Sequence, residues 1–380
     1  MAEGDIDVVK DTFEFEPTAC FTPTIIHVVG DVYVIVFSDV DSDGQMLTVS
    51  IDNAGNIGAA ALDAFEFDGG QALNPRIIHI SGEVFAIVFT REGNDGWIKT
   101  LSINAAGDIG GAPIDQFEYD IIKSIPQTII NVAGAVYAIA YTGDLEKGWL
   151  TTVTINPDGS IDTPVIEKAD FLPARMMEPD IIHVTGNIYA IVYKGADDDG
   201  FILTISIDAA GDIGASIIDT FEFDPAFCEK PKIIHVSGEI FAIVYKGPDS
   251  DGWLKTISIN SSGDIGAAAL DSFEFEPGTG VEPSIIHISG DVYGIAYTGP
   301  DSDGFFITVT IASDGAITEP VIDSLEFETV EADECHAVHV TGDIYAIVFN
   351  HGHDAGVLKT IGVDTRLGAL PRMLPLMGIG

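Results

Sequence analysis

The segment Pro231–Asn260, P-K-I-I-H-V-S-G-E-I-F-A-I-V-Y-K-G-P-D-S-D-G-W-L-K-T-I-S-I-N, recurs seven times along the chain without a slip of register. Its Ile-Ile-His step starts at Ile25, Ile77, Ile181, Ile233 and Ile285, with variants at Ile129 (Ile-Ile-Asn) and Ala337 (Ala-Val-His), all on one 52-residue spacing. A strict period of this length means one supersecondary unit stacked on copies of itself. It overrides the two-domain expectation that 380 residues would otherwise raise.

Copy five shows how the unit parses. Lys232–Val236 is a short apolar strand, and Ser237-Gly238 is a two-residue hairpin turn. The next run, I-F-A-I-V-Y, is apolar on both faces and must be buried from two sides. Gly247–Gly252 is a loop, and W-L-K-T-I-S-I alternates as a strand with one wetter face. After a third turn, Ile265 to Phe275 reads as the last strand, ending in F-E-F. Glycine rows led by Gly30, Gly44 and Gly55 mark the three turns, where positive φ would favour that residue. Four antiparallel strands with a doubly buried member describe a propeller blade, and seven blades close a ring without exposed edges. The fold class is therefore all-β, a seven-bladed β-propeller over residues 4–364 with an apolar tail over 365–380.

The ends carry a test of closure. Copy seven supplies three strands and departs at Thr365, whereas Gly4–Phe15 reads G-D-I-D-V-V-K-D-T-F-E-F, close to G-D-I-G-A-A-A-L-D-S-F-E-F before Glu276. The N-terminal strand is thus expected to complete blade seven. From Gly4 to Asp364 the chain resembles the seven-bladed β-propeller superfamily. It has no WD40 Gly-His/Trp-Asp pair and no kelch double glycine, and D-S-D-G-W departs from the sialidase Asp box. Its repeats look like those of microbial surface-protein propellers, a resemblance that implies a binding platform at a cell or particle surface. A cytoplasmic protein is the alternative.

Sixty acidic residues against sixteen basic ones exclude a nucleic-acid-binding surface, which needs the opposite balance, and oppose anionic lipid. No apolar run reaches the length of a bilayer span, and residues 1–10 carry no basic-plus-apolar leader. Cys20 and Cys228 hold equivalent places four repeats apart, so no disulfide framework with Cys335 is expected.

Five residue sets bear on function. The loops before each first strand vary while the rest of the repeat stays nearly constant, which is how a scaffold presents a recognition surface. In copies three and four those loops bring Ile121, Ile122, Lys123 and Ile125 beside Leu172, Arg175, Met176 and Met177, an apolar and basic patch suited to a protein contact or to folding over the channel. Asp39, Asp41 and Asp43 match the opening of a calcium loop, and the pattern returns at Asp249, Asp251, Asp301 and Asp303. Leu47 and Ser50 stand where the closing ligands belong, so a plain Asp-Gly turn is the competing reading. The histidine row led by His27, with Asn131 in its third place, reads as hydrogen-bonded to strand threonines or to acids after the turn. The row Glu14, Glu66, Glu118, Asp170, Glu222, Glu274 and Glu326 points outward on the rim by alternation. Copy seven alone carries Cys335, His336, His351 and His353, ligand types for a transition metal if the loop folds back.

These observations combine into a non-enzymatic binding or assembly module that offers variable loops on one face of an acidic disc to a protein or glycan. A homo-oligomer through the Pro-interrupted tail 365–380 is a further expectation. The alternative function is a glycan-active hydrolase or lyase at the channel mouth, although no copy carries a distinct nucleophile–base set.

Overall fold

Each repeat's second strand needs cover on both faces, and the chain supplies it by standing four-stranded sheets side by side around one axis. The computed structural model describes residues 2–352 and 354–366, which form seven antiparallel sheets of four strands. In blade five the order is Glu229–Ser237, Ile240–Lys246, Gly252–Ser258 and Asp271–Glu276. The first strand is longer than Lys232–Val236. The last is shorter than expected: Ile265 makes only a single bridge, to Ile259, and regular pairing resumes at Asp271. In between, the Gly266 amide donates to the Ser258 carbonyl and Leu270 to Thr256, so the chain bows away from the sheet and returns.

The core lies between blades rather than within them. Phe241, Ile243 and Tyr245 on one face of the second strand pack on Ala190 and Val192 of the preceding blade. Ala242 and Val244 on the other face receive Tyr293, Ile295 and Tyr297 of the next. Large faces thus meet small faces at successive joints, which lets side chains interdigitate at interior density. The same packing joins Ala346, Val348 and Leu358 of blade seven to Tyr33, Ile35 and Phe37 of blade one.

The glycine rows divide by cause. Gly30 and its equivalents have φ of +50 to +58° and Gly55 and its equivalents +87 to +92°, a left-handed backbone that only glycine adopts without cost. The middle row, expected to follow the same rule, does not: Gly200, Gly252 and Gly304 begin the third strand, and Gly44 stands second in it, all with ordinary backbone. They are glycine for lack of room. A Cβ on Gly252 would stand 2.3 Å from the Phe275 ring, and one on Gly200 2.5 Å from Phe223.

Two belts of hydrogen bonds run around the disc. Thr256 Oγ1 donates to the carbonyl of Gly315 in the next blade (2.6 Å), and Thr48, Thr100, Thr152 and Thr204 do the same to Gly107, Gly159, Gly211 and Gly263. An acid on each fourth strand accepts from an isoleucine amide of the next blade, as Asp219 does from Ile265 (2.8 Å). Both belts cross the closure: Thr308 donates to Gly4, Thr360 to Gly55, Ile6 to Asp323 and Ile57 to Asp11. Strand Ile6–Glu16 pairs with Ala355–Val363 and completes blade seven, as its sequence implies.

Candidate functional site

Topology puts two kinds of loop on one face: those joining one blade's fourth strand to the next blade's first, and those joining second to third strands. They touch there, the Ser124 amide donating to the Asn94 carbonyl and Met176 to Glu146. The eight residues expected to form a contact patch on this face divide three ways. Ile121 and Ile122 are exposed, at 72% and 58%, and Lys123 is half-buried beside them; Leu145, on the neighbouring loop of blade three, is the most open large apolar side chain described, at 77%. Ile125 is half-buried and its amide donates to the Thr142 carbonyl.

The second half of the expected patch is structural. Met176 is fully buried, a correction with a clear cause. Blade three has no aromatic ring over its glycine, and Met176 Sδ with Leu172 Cβ fills that seat above Gly148. Arg175 staples two loops, donating through Nε to Glu146 (3.0 Å) and through Nη1 to Asp198 (2.6 Å). Met177 turns to the channel.

Neither metal expectation finds an assembled ligand set, since among the described residues no three His, Cys, Asp or Glu side chains are grouped to hold an ion. Asp39 is occupied by its own turn: Oδ1 accepts from the amides of Asp41 and Asp43 and Oδ2 from Gln45 Nε2. Asp249 and Asp301 sit at the turn apex with φ near +58°, while Asp251 and Asp303 lie against the rim acids Glu274 and Glu326, whose carboxyls they raise. In blade seven, Cys335 is buried with its thiol toward the Ala332 carbonyl, and His351 faces Glu331 O and Glu328 on the rim. His336 lines the channel, and His353 falls outside the described residues.

The histidine row is hydrogen-bonded, but to other partners and in an exposed setting. His27 Nε2 reaches the carbonyl of its own turn glycine, Gly30, at 2.9 Å, and the ring lies against Tyr33. Asn131 makes the equivalent bond to Gly134 at 3.1 Å. The row therefore pins first-turn hairpins, leaving the threonines free for the interblade belt.

Rim acids do face outward, and several have carboxyls raised above their ordinary value by burial and a neighbouring acid. Burial, then the neighbouring Asp95, Asp199 and Asp251, raise the carboxyls of Glu118, Glu222 and Glu274; a hydrogen bond with Asp303 raises Glu326. Such groups stabilise the fold when protonated, so their contribution grows as pH falls through the raised values, above their ordinary 4.5. Other acids behave oppositely. Burial pushes Asp224 up, but bonds from Tyr245, the Ala226 amide and Lys255 outweigh it, and Glu328 is likewise held low by Lys359. These lose stability only below the usual carboxylate range. Since acidification also relieves a net charge of −44, the melting temperature in low salt is expected to rise between pH 7 and pH 5 (roughly one unit above the ordinary carboxylate range) and to fall sharply below pH 4 (about the ordinary aspartate value). A calorimetric pH series checks this; a decline from neutrality downward would mean that the rim carboxyls are not raised in the folded protein.

The same face opens into the axial channel, whose mouth is a cavity of about 490 Å³. Two layers of first-strand residues line it. The outer layer holds Glu178, Lys230, Glu282 and Glu334, each with φ of +50 to +56° despite being non-glycine. They are tied blade to blade: the Lys230 amide donates to Glu178 (2.8 Å), Glu334 to Glu282 (2.5 Å) and Thr22 to Glu334. The inner layer, two residues on, holds Thr24, Arg76, Asp180, Lys232, Ser284 and His336. This position is nearly different in every copy, although the Ile-Ile-His that follows is almost constant. That contrast between a varied position and its constant neighbours is the mark in the sequence of a site on the channel wall.

No protein-family model and no curated protein sequence matches the chain. Among solved structures it is similar to BBS1N in complex with ARL6DN, at 10% identity and a TM-score of 0.56 over 98% of this chain and 99% of that one. It is similar to Drosophila Plexin A in complex with Semaphorin 1b, at 9% identity and 0.57 over 95% and 88%. Sqt1 from Chaetomium thermophilum gives 10% identity and 0.54 over 91% and 83%. At such identities the likeness speaks for the propeller fold alone.

Proposed function

We propose that the chain is a non-enzymatic protein-binding module that engages its partner through the face bearing the variable loops. The observation that carries this reading is the exposure of Ile121, Ile122 and Leu145 on that face of a heavily acidic molecule. Large apolar side chains left in water beside a half-buried lysine fit the apolar centre and polar rim of a protein interface. The blade scaffold holds these loops rigidly, so binding would cost little ordering. BBS1N and Plexin A, whose folds this one shares, are both seen in complexes with other proteins, which supports the reading. Its finer form places the partner at a cell or particle surface.

Lys123 and Lys147 flank the patch and serve as reporters. Crosslinking mass spectrometry with the protein as bait is expected to find one partner joined at these lysines. That partner should be lost when Ile121, Ile122 and Leu145 are all changed to Glu, with the melting temperature unchanged. Crosslinks that persist in the triple variant would refute the assignment of the face, and a glycan captured in place of a protein would refute the partner class.

A further inference from the structure

The channel mouth has a charge order that loop presentation does not require. In the outer layer three carboxylates, Glu178, Glu282 and Glu334, meet one ammonium, Lys230, which bonds Glu282 at 2.7 Å and stands 3.9 Å from Glu334. Negative charge is in excess there: burial and then Glu282 raise the Glu334 carboxyl, while burial, which would lower Lys230, is overcome by Glu282, Glu334 and Glu178. The inner layer is the reverse. Arg76 and Lys232 face one carboxylate, Asp180, which lies 3.8 Å from Lys232 and already accepts the Ile233 amide.

Arg76 is under-used. Its Nη1 donates to Thr24 Oγ1 (3.0 Å) and to the Pro75 carbonyl (3.1 Å), and these are the side-chain bonds it makes among the described residues; Glu334 and Asp180 act on it only at longer range. His336 adds a third donor. Its Nδ1 accepts from the Ile25 amide (3.4 Å), which leaves the proton on Nε2. Burial, aided by Arg76 and Lys232, drives its pKa down to about 3, so the ring is neutral. A guanidinium, an ammonium and a neutral imidazole thus line one cavity below a ring with surplus carboxylate, and its volume is within the size range of small-ligand sites.

We propose that this cavity binds a small zwitterion, an amino acid or short peptide, with its carboxylate among Arg76, Lys232 and His336 and its ammonium against Glu178, Glu282 and Glu334. Guanidinium and ammonium donors are suited to a carboxylate, and the unspent guanidinium edge allows a bidentate pair. A plain anion would have to pass the acidic outer layer of a protein with net charge −44, whereas a zwitterion brings the compensating cation. The two layers are two residues apart along strands that bulge at the outer one, so they are separated by at most about 7 Å, the extended-strand rise. This favours a ligand whose charges are separated by several bonds over a free α-amino acid. The site is independent of the partner face, since none of its residues is in the exposed patch.

The test is a thermal-shift series in low salt with triglycine, 6-aminohexanoate, hexanoate and hexylamine. The two zwitterions are expected to raise the melting temperature, by about 2 °C at a tenfold excess over Kd, and the singly charged pair to leave it unchanged. The Arg76→Gln/Lys232→Gln variant should lose the response while keeping its circular dichroism, and Glu178→Gln, which leaves the inner layer intact, should weaken it several-fold. No shift with either zwitterion, an equal shift with hexanoate, or a response that survives in the double variant would each overturn the proposal.

Discussion

Deleting residues 1–16 is expected to prevent the ring from forming, although the removed segment belongs to no complete repeat. The deletion takes away the outer strand partner of Ala355–Val363, leaving it paired only with Ile344–His351, and the Phe13 and Phe15 rings packed against the joint of blades seven and one. It also breaks three belt bonds, Thr308 to Gly4, Ile6 to Asp323 and Ile57 to Asp11. With neutral bonds contributing about 1 kcal/mol and charge-assisted ones about 2, those losses alone approach the stability of an ordinary domain. A strand edge left open adds a route to aggregation. The expected result is a chain that accumulates as aggregate or melts at least about 10 °C lower.

A circular permutant separates this cause from mere loss of length. In blade five the Gly263 amide donates to the Asn260 carbonyl and Asn260 to Asp264; across the break, Gly4 donates to Asp364 (2.8 Å) and Asp364 to Asp5 (2.9 Å). Gly4 has φ of +87°, like Gly55. Joining Arg366 directly to Gly4 would write D-T-R-G-D-I where blade five has N-S-S-G-D-I. With residues 1–3 and 367–380 removed and new termini between Ala209 and Ala210, this permutant is expected to fold and to melt within a few degrees of the parent. Failure to fold would show that the chain break itself serves the structure.

The second large effect concerns Gly200. Its Cα faces the Phe223 ring on one side and Cys228 on the other, with a new Cβ at 2.5 and 2.9 Å from them. Neither neighbour is a flexible side-chain tip, so Gly200→Val must push two strands apart, at about 3 kcal/mol or more. Gly238→Ala, in an open turn with φ of +54° and nothing within 4 Å, meets only backbone strain of about 1 kcal/mol. Chemical denaturation of the two variants compares space with conformation. Equal losses would mean that the middle glycine row is conformational after all. Trimming the ring in Gly200→Ala/Phe223→Leu is expected to recover part of the loss, since the two residues share one space.

Much of this molecule could be read from its residues because repetition multiplies weak signals. One copy of I-F-A-I-V-Y is ambiguous between a buried strand and a buried helical segment, yet seven copies between glycine turns are not. The split last blade was legible because Gly4–Phe15 opens with the G-D-I and closes with the F-E-F that stand ten positions apart at Gly211 and Phe221 and at Gly263 and Phe273, here nine apart. The contact patch was only half legible. Ile121 and Met176 are both apolar residues in variable loops, and nothing local says that one meets water while the other fills the seat of a missing ring over Gly148.

Period, strand number and closure therefore follow from the chain alone, because they depend on local alternation and turn chemistry repeated at fixed spacing. What the tertiary structure decided are the relations between copies. Thr256 belongs to a carbonyl 59 residues away, the middle glycines owe their identity to a ring on another strand, and Arg76, Lys232 and His336 meet only because a closed ring brings first strands to one axis. Side-chain partners so distant in sequence leave no mark on local pattern, and only closure of the ring makes them neighbours.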